Sequence, residues 1–192
     1  MVSPLVFAVW RLDAQRKREM IGDWLSPGEA ILEVGSGPGS VVAVLREAGH
    51  HVTGLDVADN SYSDDLRPVV YDGATMPFEA NAFDVALILT TLHHTSDPDR
   101  IIAQASRVAR RLIVIEDVYD TRWQEIYTKV TDAFTNLEFI GHPHSNRSDA
   151  QWRACFERFG FKLRYRKIHR LLKFYQQAVY VLDIGSSTAS TS

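Results

Sequence analysis

The 192-residue chain is 45% hydrophobic and 23% charged, long enough to bury one core and too short for two ordinary domains. Its formal net charge of −3 supplies no positive field of the kind that gathers nucleic-acid phosphates, which argues against a nucleic-acid partner. A single cysteine, Cys155, excludes an internal disulfide and any Cys-x-x-Cys metal spacing, and it fits a reducing, cytoplasmic setting.

The first twenty residues, "MVSPLVFAVWRLDAQRKREM", read as an amphipathic helix with Arg16, Lys17 and Arg18 on a solvated face. The basic residues follow the apolar patch and Pro4 interrupts it, so the segment does not read as an export signal. No run approaches membrane-spanning length. Residues 1–27 are therefore taken as an N-terminal helical segment, 28–184 as the folded domain and "GSSTASTS", 185–192, as a polar tail with nothing to bury, expected to be disordered.

From residue 28 onward, short β-branched runs alternate with helical patterns, as in a parallel sheet covered by helices. The predicted strands are "AILEV", "HVTGLD", "PVVYD", "FDVALIL", "RLIVIED", "FKLRYRKIH" and "FYQQAVYVL". Between the first two, "SVVAVLREAG" has helical spacing and ends at Gly49, a residue suited to a left-handed cap. A second helix opens at "SDPDRIIAQASRVA", with Ser96 or Asp97 as cap and Pro98 in the first turn. "DTRWQEIYTKV" starts another, with Thr121 and Gln124 at capping-box spacing. In "RSDAQWRACFERFGF", Ser148 and Gln151 repeat that spacing, while Trp152, Cys155, Phe156 and Phe159 line one face. Cys155 thus reads as a small core residue. No helix separates the last two strands, so they should pair antiparallel through the turn near "RLLK".

In an open α/β sheet, ligands bind beyond the carboxyl ends of the strands, where strand order reverses. "ILEVGSGPGSV" places Gly35, Gly37 and Gly39 there, and glycine lets a ligand approach closer than any Cβ allows. A dinucleotide fingerprint, G-x-G-x-x-G, fits poorly, because Ser40 stands where its third glycine belongs. Glu33 at the strand end would repel a pyrophosphate and favour a cationic ligand.

"EVGSGPG" resembles the first motif of class I S-adenosylmethionine-dependent methyltransferases. The resemblance continues through Asp56 in "VTGLDV", Asp72 in "VVYDGATMPF" and "ANAFDVALILTTLHHTSDP", the last similar to the quinone-biosynthesis-like branch, and it covers residues 28–184. It implies a three-layer, seven-stranded, mostly parallel Rossmann-like sheet with an antiparallel C-terminal strand. It also implies methyl transfer from S-adenosylmethionine to a small-molecule acceptor, leaving S-adenosylhomocysteine. Carried over by position, Gly35, Ser36, Gly37 and Gly39 would pass under the methionine part, with Glu33 ordering the loop. Asp56, with Val57 beside it, would accept from the ribose hydroxyls, and Asp72 from the adenine amine beside Gly73 and Ala74. Leu89 and Thr90 would offer carbonyls to the ammonium. Either aspartate, taken alone, reads equally well as a strand end or turn cap.

For the acceptor, His94 is the candidate base, with His93 beside it, since imidazole has the basicity for a hydroxyl or ring-carbon acid. His142 and His144 in "GHPHSNRS" are candidates for the acceptor pocket, for a metal site with Glu116 and Asp117, or simply for the surface. No metal is assigned. Glu116 and Asp117 in "EDVYD" can orient a histidine or an acceptor, or be merely solvated. Tyr119 is placed with the acceptor contacts; Trp10, Trp123 and Tyr127 either join it in an aromatic wall or pack in the core. Two other readings stand beside this one: a nicotinamide-dependent oxidoreductase, and a non-catalytic S-adenosylmethionine-binding partner subunit.

Overall fold

The computed structural model of the chain describes residues 3–118, 147–172 and 175–185. Helix α1 (Pro4–Ile21) starts where the Ser3 side chain accepts from the Val6 N–H and Pro4 fills the first turn. Its buried positions are Phe7, Ala14, Lys17 and Ile21. This corrects the expected solvated face: Arg18 is exposed, but Arg16 is half-buried and Lys17 is buried. Steps of three from Ala14 and four to Ile21 bring Lys17 onto the packed side of the helix.

Strand β1 (Ala30–Val34) runs into the glycine loop and then α2 (Ser40–Glu47), whose Val41, Val42, Ala43, Val44 and Leu45 are all buried. That helix packs against α1, which is tied to its far end by a bidentate Arg11–Glu47 pair at 2.8 and 2.7 Å. Strand β2 (His51–Asp56) follows, then β3 (Val69–Val70), β4 (Phe83–Leu89), α3 (Pro98–Val108) and β5 (Ala109–Val118). Asp97, not Ser96, caps α3 through the Arg100 N–H. Strand β3 is shorter than "PVVYD" implied. It pairs only through Val69 and Val70 at the sheet edge, because Asp72 turns back to accept from the Ala74 and Thr75 N–H groups.

Beyond the segment 119–146, which contains the helix expected at "DTRWQEIYTKV" and lies outside the described residues, come α4 (Asp149–Arg158), β6 (Lys162–Leu172) and β7 (Tyr175–Asp183). The capping box of α4 is formed: the Gln151 N–H donates to Ser148 Oγ at 3.3 Å, and the Ser148 N–H to Gln151 Oε1 at 2.7 Å. Its Trp152, Cys155 and Phe156 are buried.

The sheet has seven strands in the order β3-β2-β1-β4-β5-β7-β6. The first five pair in parallel, and β7 runs antiparallel to both neighbours. The reversed strand thus sits one place in from the edge. Alternate side chains leave a strand on opposite faces, and the core divides accordingly. Leu32, Val34, Ile88, Leu112 and Val114 pack with α3 and α4, while Ile31, Leu87, Leu89, Ile113 and Ile115 pack with α1 and α2. The result is three layers, as expected. Among the described residues, no helix is long and apolar enough to cross a membrane.

Candidate cofactor and active site

Strand order reverses between β1 and β4, and the candidate residues gather at the carboxyl ends of these two strands and their neighbours. After Val34 the chain turns with Gly35, Gly37 and Gly39 all at positive φ. The reasons differ by position. A Cβ on Gly35 would lie 2.3 Å from Thr91 Cγ2, so this glycine makes room for the loop after β4. A Cβ on Gly37 would meet nothing within 4 Å, which marks open space beside the loop.

Two buried oxygens at that loop, Glu33 Oε2 and Ser36 Oγ, have no hydrogen-bond partner among the described residues. Burial pushes the Glu33 carboxyl up to about 8, against the smaller opposing pull of Lys17 and of the Val42 N–H. Its place at the strand end alone implies a standing negative charge. Instead, desolvation favours its neutral form, and a cation brought beside it would favour loss of the proton.

At the end of β2, Asp56 is half-buried, with Oδ2 accepting from the Gly37 N–H at 2.7 Å and Oδ1 from the Val57 N–H at 2.7 Å. Oδ1 also accepts from the Ala58 N–H at 3.4 Å, so the further lone pair for a ligand is on Oδ2. Asp72 is exposed, and Oδ1 accepts from the N–H groups of Ala74 and Thr75, bonds that hold its carboxyl below the usual range. A Cβ on Gly73 would sit 3.3 Å from Val57 Cγ1, so the β2 and β3 loops meet side by side.

At the end of β4, the Leu89 carbonyl accepts from the Thr90 hydroxyl at 2.6 Å. Thr90 has φ +58, unusual for a β-branched residue. The Thr91 hydroxyl donates to the Val34 carbonyl at 3.2 Å, fastening β4 to β1. Next comes a short 3₁₀ turn, Leu92–His94, organised by Glu116 at the end of β5. Its Oε1 accepts from the Thr91 and Leu92 N–H groups at 2.9 and 2.7 Å, and Oε2 pairs with His93 Nδ1 at 2.7 Å. In a neutral ring, a carboxylate partner favours the proton on Nδ1. His94 is half-buried, its ring centroid 4.0 Å from that of His93.

Asp117 accepts from Gln177 Nε2 at 2.9 Å, and Arg16 of α1 donates to Gln177 Oε1 at 2.8 Å. Trp10 is partly buried against the α1 and α2 side of the core. Tyr119, Trp123, Tyr127, His142 and His144 lie outside the described residues. Among those described, no cluster of three or more metal-ligating side chains occurs. Sequence reasoning missed Thr91 and Lys17. The signal for Lys17 was its spacing from Ala14 and Ile21; nothing local marks Thr91.

The bare loop and the acids at the ends of β1 and β2 thus lie at the strand reversal, where open α/β sheets bind ligands. Residues 32–112 match the model of the family described as a methyltransferase domain. The chain is similar to the ubiquinone/menaquinone biosynthesis C-methyltransferase UbiE of Roseobacter denitrificans, 31% identical over 118 residues that cover 52% of this chain and 47% of that protein. It also resembles the ubiquinone biosynthesis O-methyltransferase of Hahella chejuensis, 30% identical over 44% of this chain and 40% of that one. The chain thus spans about half the length of these curated relatives. Among solved structures, the magnesium protoporphyrin IX methyltransferase of Synechocystis with bound SAH superposes with a TM-score of 0.65 at 18% identity, over 95% of this chain and 89% of that one. Residues 32–112 are thus similar to a methyltransferase domain, the curated relatives are quinone-biosynthesis methyltransferases, and the solved structure shares the fold.

Gly35→Ala should destabilise the protein by roughly 2–5 kcal/mol in urea denaturation, through left-handed strain and overpacking against Thr91. Adding Thr91→Ala should recover the packing part and leave the strain. The raised Glu33 value carries a sign. Stability from the buried neutral acid is full below its ordinary value of 4.5 and is lost as pH rises through about 8. Thermal melts should therefore show Glu33→Gln gaining on the wild type across that interval; parallel curves would place Glu33 in water.

Proposed function

We propose that the chain transfers a methyl group from S-adenosylmethionine to a small-molecule acceptor. The observation that carries this reading is the bare loop at the strand reversal, open beside Gly37, together with the unpartnered buried oxygens of Glu33 and Ser36. A buried oxygen left unbonded costs about 1–3 kcal/mol, and a polar, cationic ligand would relieve that cost. In this reading Gly35, Ser36, Gly37 and Gly39 carry the methionine part, and Glu33 and the Leu89 and Thr90 carbonyls take the ammonium. Asp56 and Val57 hold the ribose, and Asp72, Gly73 and Ala74 the adenine. Each acid already fixes its own loop with N–H bonds and keeps lone pairs to spare.

The bound cofactor supplies an electrophilic methyl group on a sulfonium. The residues of the chain hold an acceptor in line with it and keep water away. His93 and His94 are the proton-accepting candidates, with Glu116 fixing the tautomer of His93. Tyr119, His142 and His144 are proposed to line the acceptor side. The similarity to quinone-type enzymes favours an oxygen or carbon nucleophile. A cytoplasmic location is part of the same proposal, resting on the single cysteine, which is buried.

Calorimetric titration tests the reading. The wild type should bind S-adenosylhomocysteine at micromolar concentration and not NADH, with Asp56→Ala weakening the former by roughly 1–3 kcal/mol. The reverse preference would make the chain an oxidoreductase. Binding without any methylated product across broad acceptor panels would make it a non-catalytic partner. Comparing His93→Ala with His94→Ala separates the pair. Loss of the true base lowers turnover by about 10²–10⁴ while sparing cofactor affinity, and full turnover in both variants would leave them packing roles.

A further inference from the structure

Lys17 of α1 is buried, and its Nζ donates to Thr90 Oγ1 at 2.7 Å and pairs with Asp13 Oδ2 at 3.0 Å. The Thr90 hydroxyl donates a hydrogen bond to the Leu89 carbonyl, so it meets the ammonium as an acceptor. Thr90 does this from a left-handed backbone, which places local strain at the point where Lys17 is held. The ammonium therefore stands at the carboxyl end of β4, beside the strand reversal, close enough to Glu33 to favour that acid's charged form. Its ion-pair partner Asp13 has a side chain 43% exposed, so water weakens the compensation from that side.

With Asp13 compensating it only from a partly exposed side, a lysine so placed would oppose the sulfonium and amino group of the cofactor unless a further anion met it, and the cofactor carries one anionic group, its carboxylate. Building on the cofactor reading above, we propose that Lys17 is a cofactor-binding residue whose ammonium takes the carboxylate of the methionine part. Helix α1 then closes the amino-acid end of the site. The zwitterion is read from both sides, by a cation on α1 and by Glu33 on β1.

The test compares S-adenosylhomocysteine with methylthioadenosine, which keeps the nucleoside and sulfur but lacks the amino-acid group. By calorimetry, Lys17→Gln should lose about 10–100-fold in affinity for the first and stay within about twofold for the second. Lys17→Arg should restore most of the loss. Equal losses for both ligands, or no loss for either, overturn the proposal. Should Lys17→Gln fail to fold, Lys17→Met, which keeps the buried stem, takes its place. In the wild type, decarboxylated S-adenosylhomocysteine should bind at least about tenfold more weakly than the intact ligand, and equal binding also overturns the proposal. A wild type that binds neither S-adenosylhomocysteine nor methylthioadenosine refutes the cofactor reading itself, which separates the two failures.

Discussion

The contact between Gly35 and Thr91 is the constraint on which the site depends. Strands β1 and β4 lie paired in parallel up to Val34 and Ile88, and then their chains part, one toward α2 and the other toward α3. Without a side chain at Gly35, Thr91 can lie against the turn and give its hydroxyl to the Val34 carbonyl. Its N–H goes to Glu116, so the ends of β1, β4 and β5 are fastened to one another by a single residue. The setting of His93 shares that fastening, since the same Glu116 carboxylate holds its ring.

Two buried acids in this region differ in what they still lack. Glu116 receives the N–H groups of Thr91 and Leu92 and the Nδ1 of His93, which is the condition under which a carboxylate is tolerated in a core. Glu33 keeps one oxygen unpartnered and holds its proton through burial. The first acid is a finished piece of architecture. The second is a group whose charge depends on what arrives beside it.

Much of this was readable from the residues. The alternation of apolar runs gave the strands and, with the unhelical stretch before "FYQQAVYVL", the antiparallel C-terminal pair; Ser148 and Gln151 announced their helix start to the residue. Three features were not readable, each for a physical reason. A sequence window shows Val69 and Val70 as strand formers but not that they meet a neighbour on one side only. The run Arg16, Lys17, Arg18 looks solvated because charge usually is, and only the helical phase set by Ala14 and Ile21 says otherwise. The charge state of Glu33 depends on packing from α1 and α2 across sequence distances that local pattern does not report. At the site, the glycine loop and the acids were marked by type and spacing. The Gly35–Thr91 contact was not, since it joins two loops more than fifty residues apart.

The insertion of β7 between β5 and β6 leaves the sheet bounded by β3 on one side and β6 on the other. An open strand edge is a template on which other chains can add. The first edge is only two residues long, which gives an incoming strand little to grip. The second is long, but it carries Lys162, Arg164, Arg166, Lys167 and Arg170, all exposed. A second copy aligning along β6 would bring that row of cations against its own. The charge on β6 thereby disfavours edge-to-edge addition of a second copy.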